Sequence, residues 1–189
     1  PEQNLLEASA AHCHRLRVGH PILTHEETAA LKVLNHRGWR SQVIDVTFER
    51  SAGAKGLVPT LHRICEEAET AVDSGINIVI LSDRAVSADR VATSMFLAAG
   101  AAHQHLVRSA KRTRIGLVVE TGEASEVHHH CLLIGFGVDA INPYLALEAL
   151  WQARQDGKLD TATLADDAAV MNAYRKGVAK GMLKVMGKM

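Results

Sequence analysis

Ile76-Asn77-Ile78-Val79-Ile80-Leu81 and Ile115-Gly116-Leu117-Val118-Val119 decide the fold of this chain. Each is a short, almost wholly apolar run, the pattern of a strand covered on both faces rather than one with a wet side. Between them lies an Ala-rich stretch, residues 88–110, whose composition and length predict a helix. Upstream, Leu57, Leu61, Ile64, Cys65, Ala68, Ala71 and Val72 recur at helical spacing, and Gly75 marks the stop. Before that helix, Gln42-Val43-Ile44-Asp45-Val46-Thr47-Phe48 alternates and is rich in β-branched residues, as a strand should be. Thr24-His25-Glu26-Glu27 has the form of a capping box and predicts a short helix through Leu31 and Leu34.

Downstream the pattern repeats. A helix is expected over 124–134, then a strand at Val138-Asp139-Ala140-Ile141, then a helix carrying Tyr144, Leu147, Leu150 and Trp151. Strand then helix, repeated, implies an α/β fold with a parallel sheet and right-handed crossovers. Residues 155–163 are polar and punctuated by Gly157, so they read as a linker, and a last helix is expected over about 164–186.

The bulk properties narrow the function classes. A length of 189 residues suits one domain with an appended segment, and 47% hydrophobic content is ordinary for a globular core. The 21 basic and 21 acidic residues cancel, so no charge excess points to nucleic acid or to an anionic membrane. No apolar run approaches the roughly 20 residues that cross a bilayer. Cys13, Cys65 and Cys131 are few and far apart, which predicts reduced thiols in the cytosol and neither a disulfide framework nor a clustered metal site. The opening Pro1 and the amphipathic closing stretch Lys180–Met189 suggest a piece of a longer protein.

In parallel α/β folds ligands gather at the carboxyl ends of the strands. Those loops read Ser82-Asp83-Arg84, Glu120-Thr121-Gly122-Glu123 and Asn142-Pro143-Tyr144, all polar. Asp83 and Arg84 could hold an anion, or could pair with each other or cap the next helix. Histidines form the other eye-catching group: His103 and His105 on one helix, and His128, His129 and His130 on the next. Three consecutive helical residues point about 100° apart, which argues against one metal held by that run, and leaves hydrogen bonding at the core edge as the plainer role. There is no Gly-x-Ser-x-Gly elbow and no phosphate-cradling glycine loop, and Gly135-Phe136-Gly137 precedes a strand, the wrong order for a dinucleotide site. The residues alone therefore give an α/β domain and no reaction.

Several segments together resemble one family, the large subunit of glutamate synthase, in the domain between its amidotransferase and flavin domains. They are Pro1-Glu2-Gln3-Asn4-Leu5-Leu6, His20-Pro21-Ile22-Leu23, Ile78-Val79-Ile80-Leu81-Ser82-Asp83-Arg84, Gly116–Ala124, Glu126-Val127-His128-His129, Gly135-Phe136-Gly137, Ala140–Ala146 and Lys180–Met186. The resemblance implies a partial-barrel-like α/β domain that joins the two catalytic domains and helps enclose an ammonia path. It also implies a parent that converts glutamine and 2-oxoglutarate to two glutamates with electrons from a nicotinamide or ferredoxin donor. That parent would use an amino-terminal cysteine nucleophile, flavin mononucleotide (FMN) and a three-iron (3Fe-4S) cluster, none of which is expected here.

On this reading residues 1–154 form the central domain, 155–163 the linker, and 164–189 a helical segment leading toward the flavin domain. The strand-end cluster of Ser82, Asp83, Arg84, Glu120, His128, His129 and Asn142 would face a channel or a domain interface, and no catalytic role is assigned to it. Two departures stand out: Val91-Ala92-Thr93-Ser94 replaces an Ile-Pro-Ser-type helix start, and Gly187 replaces a serine. The alternatives are a free-standing small-molecule-binding α/β protein and a histidine-based metal enzyme.

Overall fold

The computed structural model describes Leu6, Ala8, Cys13 and residues 15–160 and 162–188. Pro1–Leu5, which opened the family resemblance, and Thr161 of the linker lie outside the described residues. The element order is α1 (His25–Lys32), β1 (Asn35–His36), β2 (Trp39–Asp45), β3 (Thr47–Glu49), α2 (Leu57–Asp73), β4 (Ile78–Ser82), β5 (Arg90–Ala92), α3 (Met95–Arg108), β6 (Gly116–Glu120), α4 (Val127–Gly135), β7 (Ala140–Asn142), α5 (Tyr144–Gln155) and α6 (Asp167–Met186).

The main sheet runs β1-β2-β4-β6-β7. Its last four strands are parallel and only β1 is antiparallel. Strands that follow one another in both sequence and space, with right-handed crossovers, place α2, α3 and α4 on one face. Register then sorts the side chains. Ile44, Leu81, Val119 and Ile141 stand in one row and face these helices, packing with Ile64, Ala68, Met95, Ala99, Ala102 and Leu133. Ile78, Ile80, Val118 and Ala140 point the other way, against Leu23 and Leu31 of the α1 region. The fold is thus an open sheet with βα repeats. Beyond β7 the sheet gains, among the described residues, one parallel bridge from Ile22 to Ile141, and it does not close into a barrel.

The capping box forms as expected: the Glu27 amide donates to Thr24 Oγ1 at 3.1 Å and the Thr24 amide donates to Glu27 Oε2 at 2.8 Å. The α2 stop is a Schellman motif, in which Gly75 at φ +76° lets its own amide reach Val72 O and the Ile76 amide reach Ala71 O.

Several sequence expectations need correction. The strand expected over 42–48 breaks at Val46, because the Asp45 carboxylate accepts from the Thr47 amide at 2.8 Å and turns the chain out of the main sheet. It also starts earlier, at Trp39, through a hairpin with β1. The helix expected over 88–110 begins only at Met95, since Arg90–Ala92 pairs antiparallel with Thr47–Glu49 as a second, two-stranded sheet. The Glu123 carboxylate receives the Met95 amide at 2.9 Å and fixes that later start. The strand near 138–141 is Ala140–Asn142, and the last helix starts at Asp167, where Asp166 caps it by accepting from the Ala169 amide.

Helix α6 lies outside the βα succession. Its Tyr174, Val178 and Met182 pack with Ile22, Val127, Cys131 and Ile134. Arg175 ties it to the α1 region, donating to Ile22 O at 2.8 Å and pairing with Glu27 at 2.7 Å.

Candidate functional site

The register that builds the core also builds a polar layer at the carboxyl ends of the strands. Asp45 stands opposite Ser82, Ser82 opposite Glu120, and Glu120 opposite Asn142. This row continues the one holding Ile80, Val118 and Ala140, so it points to the α1 side of the sheet.

Glu120 is the hub. Its residue is 3% exposed, and its carboxylate accepts from Ser82 Oγ, from Lys32 Nζ at 2.8 Å and from Arg84 Nε at 2.9 Å. Burial alone raises the pKa of this carboxyl; the bonds from Lys32 and Ser82 and the charges of Lys32 and Arg84 outweigh it and hold the group below its usual value. Arg84 is equally committed. Besides Glu120 it pairs with Glu148 at 3.1 Å, approaches His25 Nδ1 at 3.3 Å, and lies 4.1 Å above the centre of the Tyr144 ring. A shallow cleft opens over this group, walled by His25, Ala29, Lys32, Glu148 and Trp151.

Asp83 has turned inward. It is 3% exposed and accepts from Thr121 Oγ1 at 2.6 Å and from the Gly122 amide at 3.1 Å, thereby fixing the loop after β6. Burial, followed by the bond and charge of Asp83, raises the pKa of the Tyr144 hydroxyl. Asn142 is fully buried and donates to Leu23 O at 3.0 Å, locking the chain entering α1 to the end of β7.

Ser82, Arg84 and Glu120 therefore come together, with Asp83 and Asn142 beside them on structural duties. His128 and His129 do not join them. His128 is exposed on the first turn of α4, and His129 Nδ1 accepts from the Ser125 amide at 3.2 Å. The buried histidine is His130, whose Nε2 meets Tyr174 Oη at 3.1 Å; desolvation, then the neighbouring His129 and His20, push its pKa down to about 4. His103 accepts from Arg112 at 3.0 Å and His105 pairs with Glu69 at 2.6 Å. His103, His105, His129 and His130 thus serve separate ties, and His128 stands exposed. Among the described residues no group of three or more His, Cys, Asp or Glu could hold a metal ion, so the side chains present do not fit an iron cluster or a zinc centre.

Sequence reasoning missed Lys32, His25 and Glu148. Lys32 reads locally as a cation at a helix C-terminus, and 88 residues separate it from Glu120, so no spacing rule could join them. The assembled site is held in one interlocked network: Glu120 is kept ionised by two cations, Lys32 and Arg84 are both engaged, and the Ser82 hydroxyl is committed to the Glu120 carboxylate. No helix among the described residues is long and apolar enough to cross a membrane.

The family described as the glutamate synthase central domain matches residues 1–189. The chain is 42% identical to glutamate synthase [NADH] of Schizosaccharomyces pombe, with all of this chain and 9% of that protein covered. It is 39% identical to the glutamate synthase [NADPH] large chain of Bacillus subtilis, covering all of this chain and 12% of that protein. Against ferredoxin-dependent glutamate synthase 2 of Arabidopsis thaliana the identity is 35%, over 98% of this chain and 12% of that protein. The chain thus spans about a tenth of the length of these relatives. A match along its entire length, on a fold whose strand-end loops carry the resembling segments, settles the family: the chain belongs to the glutamate synthase central domain family.

Proposed function

We propose that this domain is a rigid joint within a glutamate synthase large subunit, holding an amidotransferase domain and a flavin domain in fixed relation and walling part of the ammonia path between them. The observation that carries this reading is the polar layer around Glu120: Glu120 and Ser82 are buried, and Lys32 and Arg84 tie them to α1 and to the loop after β4. Such a layer stiffens the end of the sheet where, in α/β folds, functional surfaces gather.

The relatives supply a second support. Similar segments occur in enzymes named for NADH, NADPH and ferredoxin, so this segment serves whichever donor is used. Donor recognition, FMN and the 3Fe-4S cluster then belong to other parts of the parent, as does the cysteine nucleophile. The parent reaction is conversion of glutamine and 2-oxoglutarate, with reductant, to two glutamates, in the cytosol. Residues 1–154 act as the joint, 155–163 as linker and 164–189 as the lead toward the flavin domain.

The test is stoichiometry in the full-length enzyme. Wild type should consume glutamine and 2-oxoglutarate in equal amounts, because ammonia does not escape. Replacing Arg84 by Ala should leave glutaminase activity in place while glutamine use runs ahead of 2-oxoglutarate use. Unchanged coupling in that variant would remove the strand-end layer from the path, and loss of the glutaminase step itself would assign the layer a direct catalytic part.

A further inference from the structure

Residues 167–188, helix α6 and the two residues that follow it, carry Arg175, Lys176, Lys180, Lys184 and Lys188 against a single carboxylate, Asp167. The net charge of this segment is +4, and since the chain is neutral overall, the remainder carries −4. The four lysines recur every fourth residue, so they form a stripe with steps of about 6 Å that turns slowly around the helix over about 18 Å. All four are exposed, and none has an ion-pair partner among the described residues. Arg175, by contrast, is consumed by Glu27. At the far end of the stripe two apolar side chains stand out, Leu183 at 73% and Met186 at 54% exposure.

We infer that this stripe docks against an acidic surface on the part of the parent chain that lies outside these 189 residues, an inference that rests on the proposed role as an inter-domain joint. Charge complementarity selects the occupant. A second copy of this chain is a poor match, because Asp45, Glu49, Glu69, Asp73, Glu120 and Asp139 already sit in ion pairs and the exposed carboxylates outside them, such as Glu26, Glu66 and Asp89, lie on separate segments rather than in one acidic patch. A bilayer surface is a poor match too. Interfacial helices insert an apolar face, and that of α6 is buried on Ile22, Val127, Cys131 and Ile134. Nucleic acid would meet repulsion from the remaining −4 of the chain. The relatives are roughly ten times longer than the matched segment, so ample chain is at hand to supply the acidic face. Lysines around an apolar end fit the anatomy of such a contact, in which charge sets register and the apolar pair supplies the dry centre.

The experiment compares acylation rates of Lys176, Lys180, Lys184 and Lys188 in the 189-residue chain and in the full-length protein, by peptide mass spectrometry with a hydroxysuccinimide acetate ester. Rates are normalised to each form in urea. The expected result is less than twofold protection in the 189-residue chain and at least fivefold in the full-length protein, falling toward twofold in 1 M NaCl. In the full-length K180E/K184E variant, Lys176 and Lys188 should become as reactive as in the short chain. Equal reactivity of the lysines in both forms overturns the inference, as does protection that survives both salt and K180E/K184E. Protection that appears in the short chain on raising its concentration, or on adding a 20-base-pair duplex or phosphatidylserine vesicles, also overturns it in favour of that occupant. The intact mass of the protein from its source separates the two levels of the argument. A mass near 20.4 kDa overturns both the joint and the docking, whereas a long chain with reactive α6 lysines overturns the docking alone.

Discussion

Replacing Glu120 by Gln removes one negative charge and keeps the shape of the side chain, leaving Lys32 and Arg84 without their common partner. Breaking a buried ion pair by deleting one member costs about 3–5 kcal/mol. Here the two cations are 31% and 38% exposed and recover some hydration, while Arg84 keeps Glu148, so the expected loss is smaller, about 2 kcal/mol. For a chain of this size that corresponds to a fall in Tm of about 4–8 °C. The sign with pH follows from the direction of the shift. The folded-state pKa of Glu120 is depressed, so its contribution is present above the unfolded-state value of about 4.3 and disappears as the pH falls through the folded-state value. Calorimetry of wild type and E120Q at pH 7 and through the acid range is the assay. The gap between them should be full at neutral pH and close at the acid end. A gap under about 0.5 kcal/mol at pH 7, or one that stays constant down to pH 3, would falsify the account of Glu120 as the electrostatic hub.

Other substitutions report on α6. His130 has a folded-state pKa of about 4 against about 6.5 when unfolded, so stability should fall as the pH drops from about 6.5 to about 4. The shift corresponds to at most about 3 kcal/mol; chemical denaturation of H130F across that window should show a flatter profile, and an NMR titration placing His130 near 6.5 would refute the assignment. Tyr174→Phe deletes the hydroxyl that donates to Ser125 O at 3.0 Å and receives His130, and should cost about 1–2 kcal/mol in urea denaturation. On the same helix two glycines should behave oppositely. A methyl group at Gly181 would lie 2.4 Å from Val127 Cγ2, so G181A should lose about 1 kcal/mol or more despite better helix propensity. Gly177 has open space around its Cβ position, so G177A should gain about 0.5–1 kcal/mol, and equal effects at the two sites would contradict the close α4–α6 packing.

What the sequence by itself determined was local or periodic. The apolar runs around Ile80 and Val118 pointed to buried parallel strands, since a strand covered on both faces loses its polar alternation and runs this short suit a strand better than a helix. The Thr24–Glu27 box and Gly75 fixed helix ends because the groups that satisfy the terminal amides and carbonyls lie within a few residues of them. The motif segments, in order along the chain, fixed the family, and the strand ends fixed where Ser82, Arg84 and Glu120 would gather. Tertiary structure decided what depends on partners far away in the chain. Asp45 ends a strand that alternation alone would continue, and Arg90–Ala92 becomes a strand in an Ala-rich region because Thr47–Glu49 offers it a ladder. The histidine run shows the same limit: periodicity separates its three side chains, but only the packing of α6 on α4 buries His130 and leaves His128 in water. Lys32 reaches Glu120 across 88 residues because the sheet brings the end of α1 above the end of β6. Charge pairing and burial are properties of distance in space, and a linear sequence carries that distance only after the chain has folded.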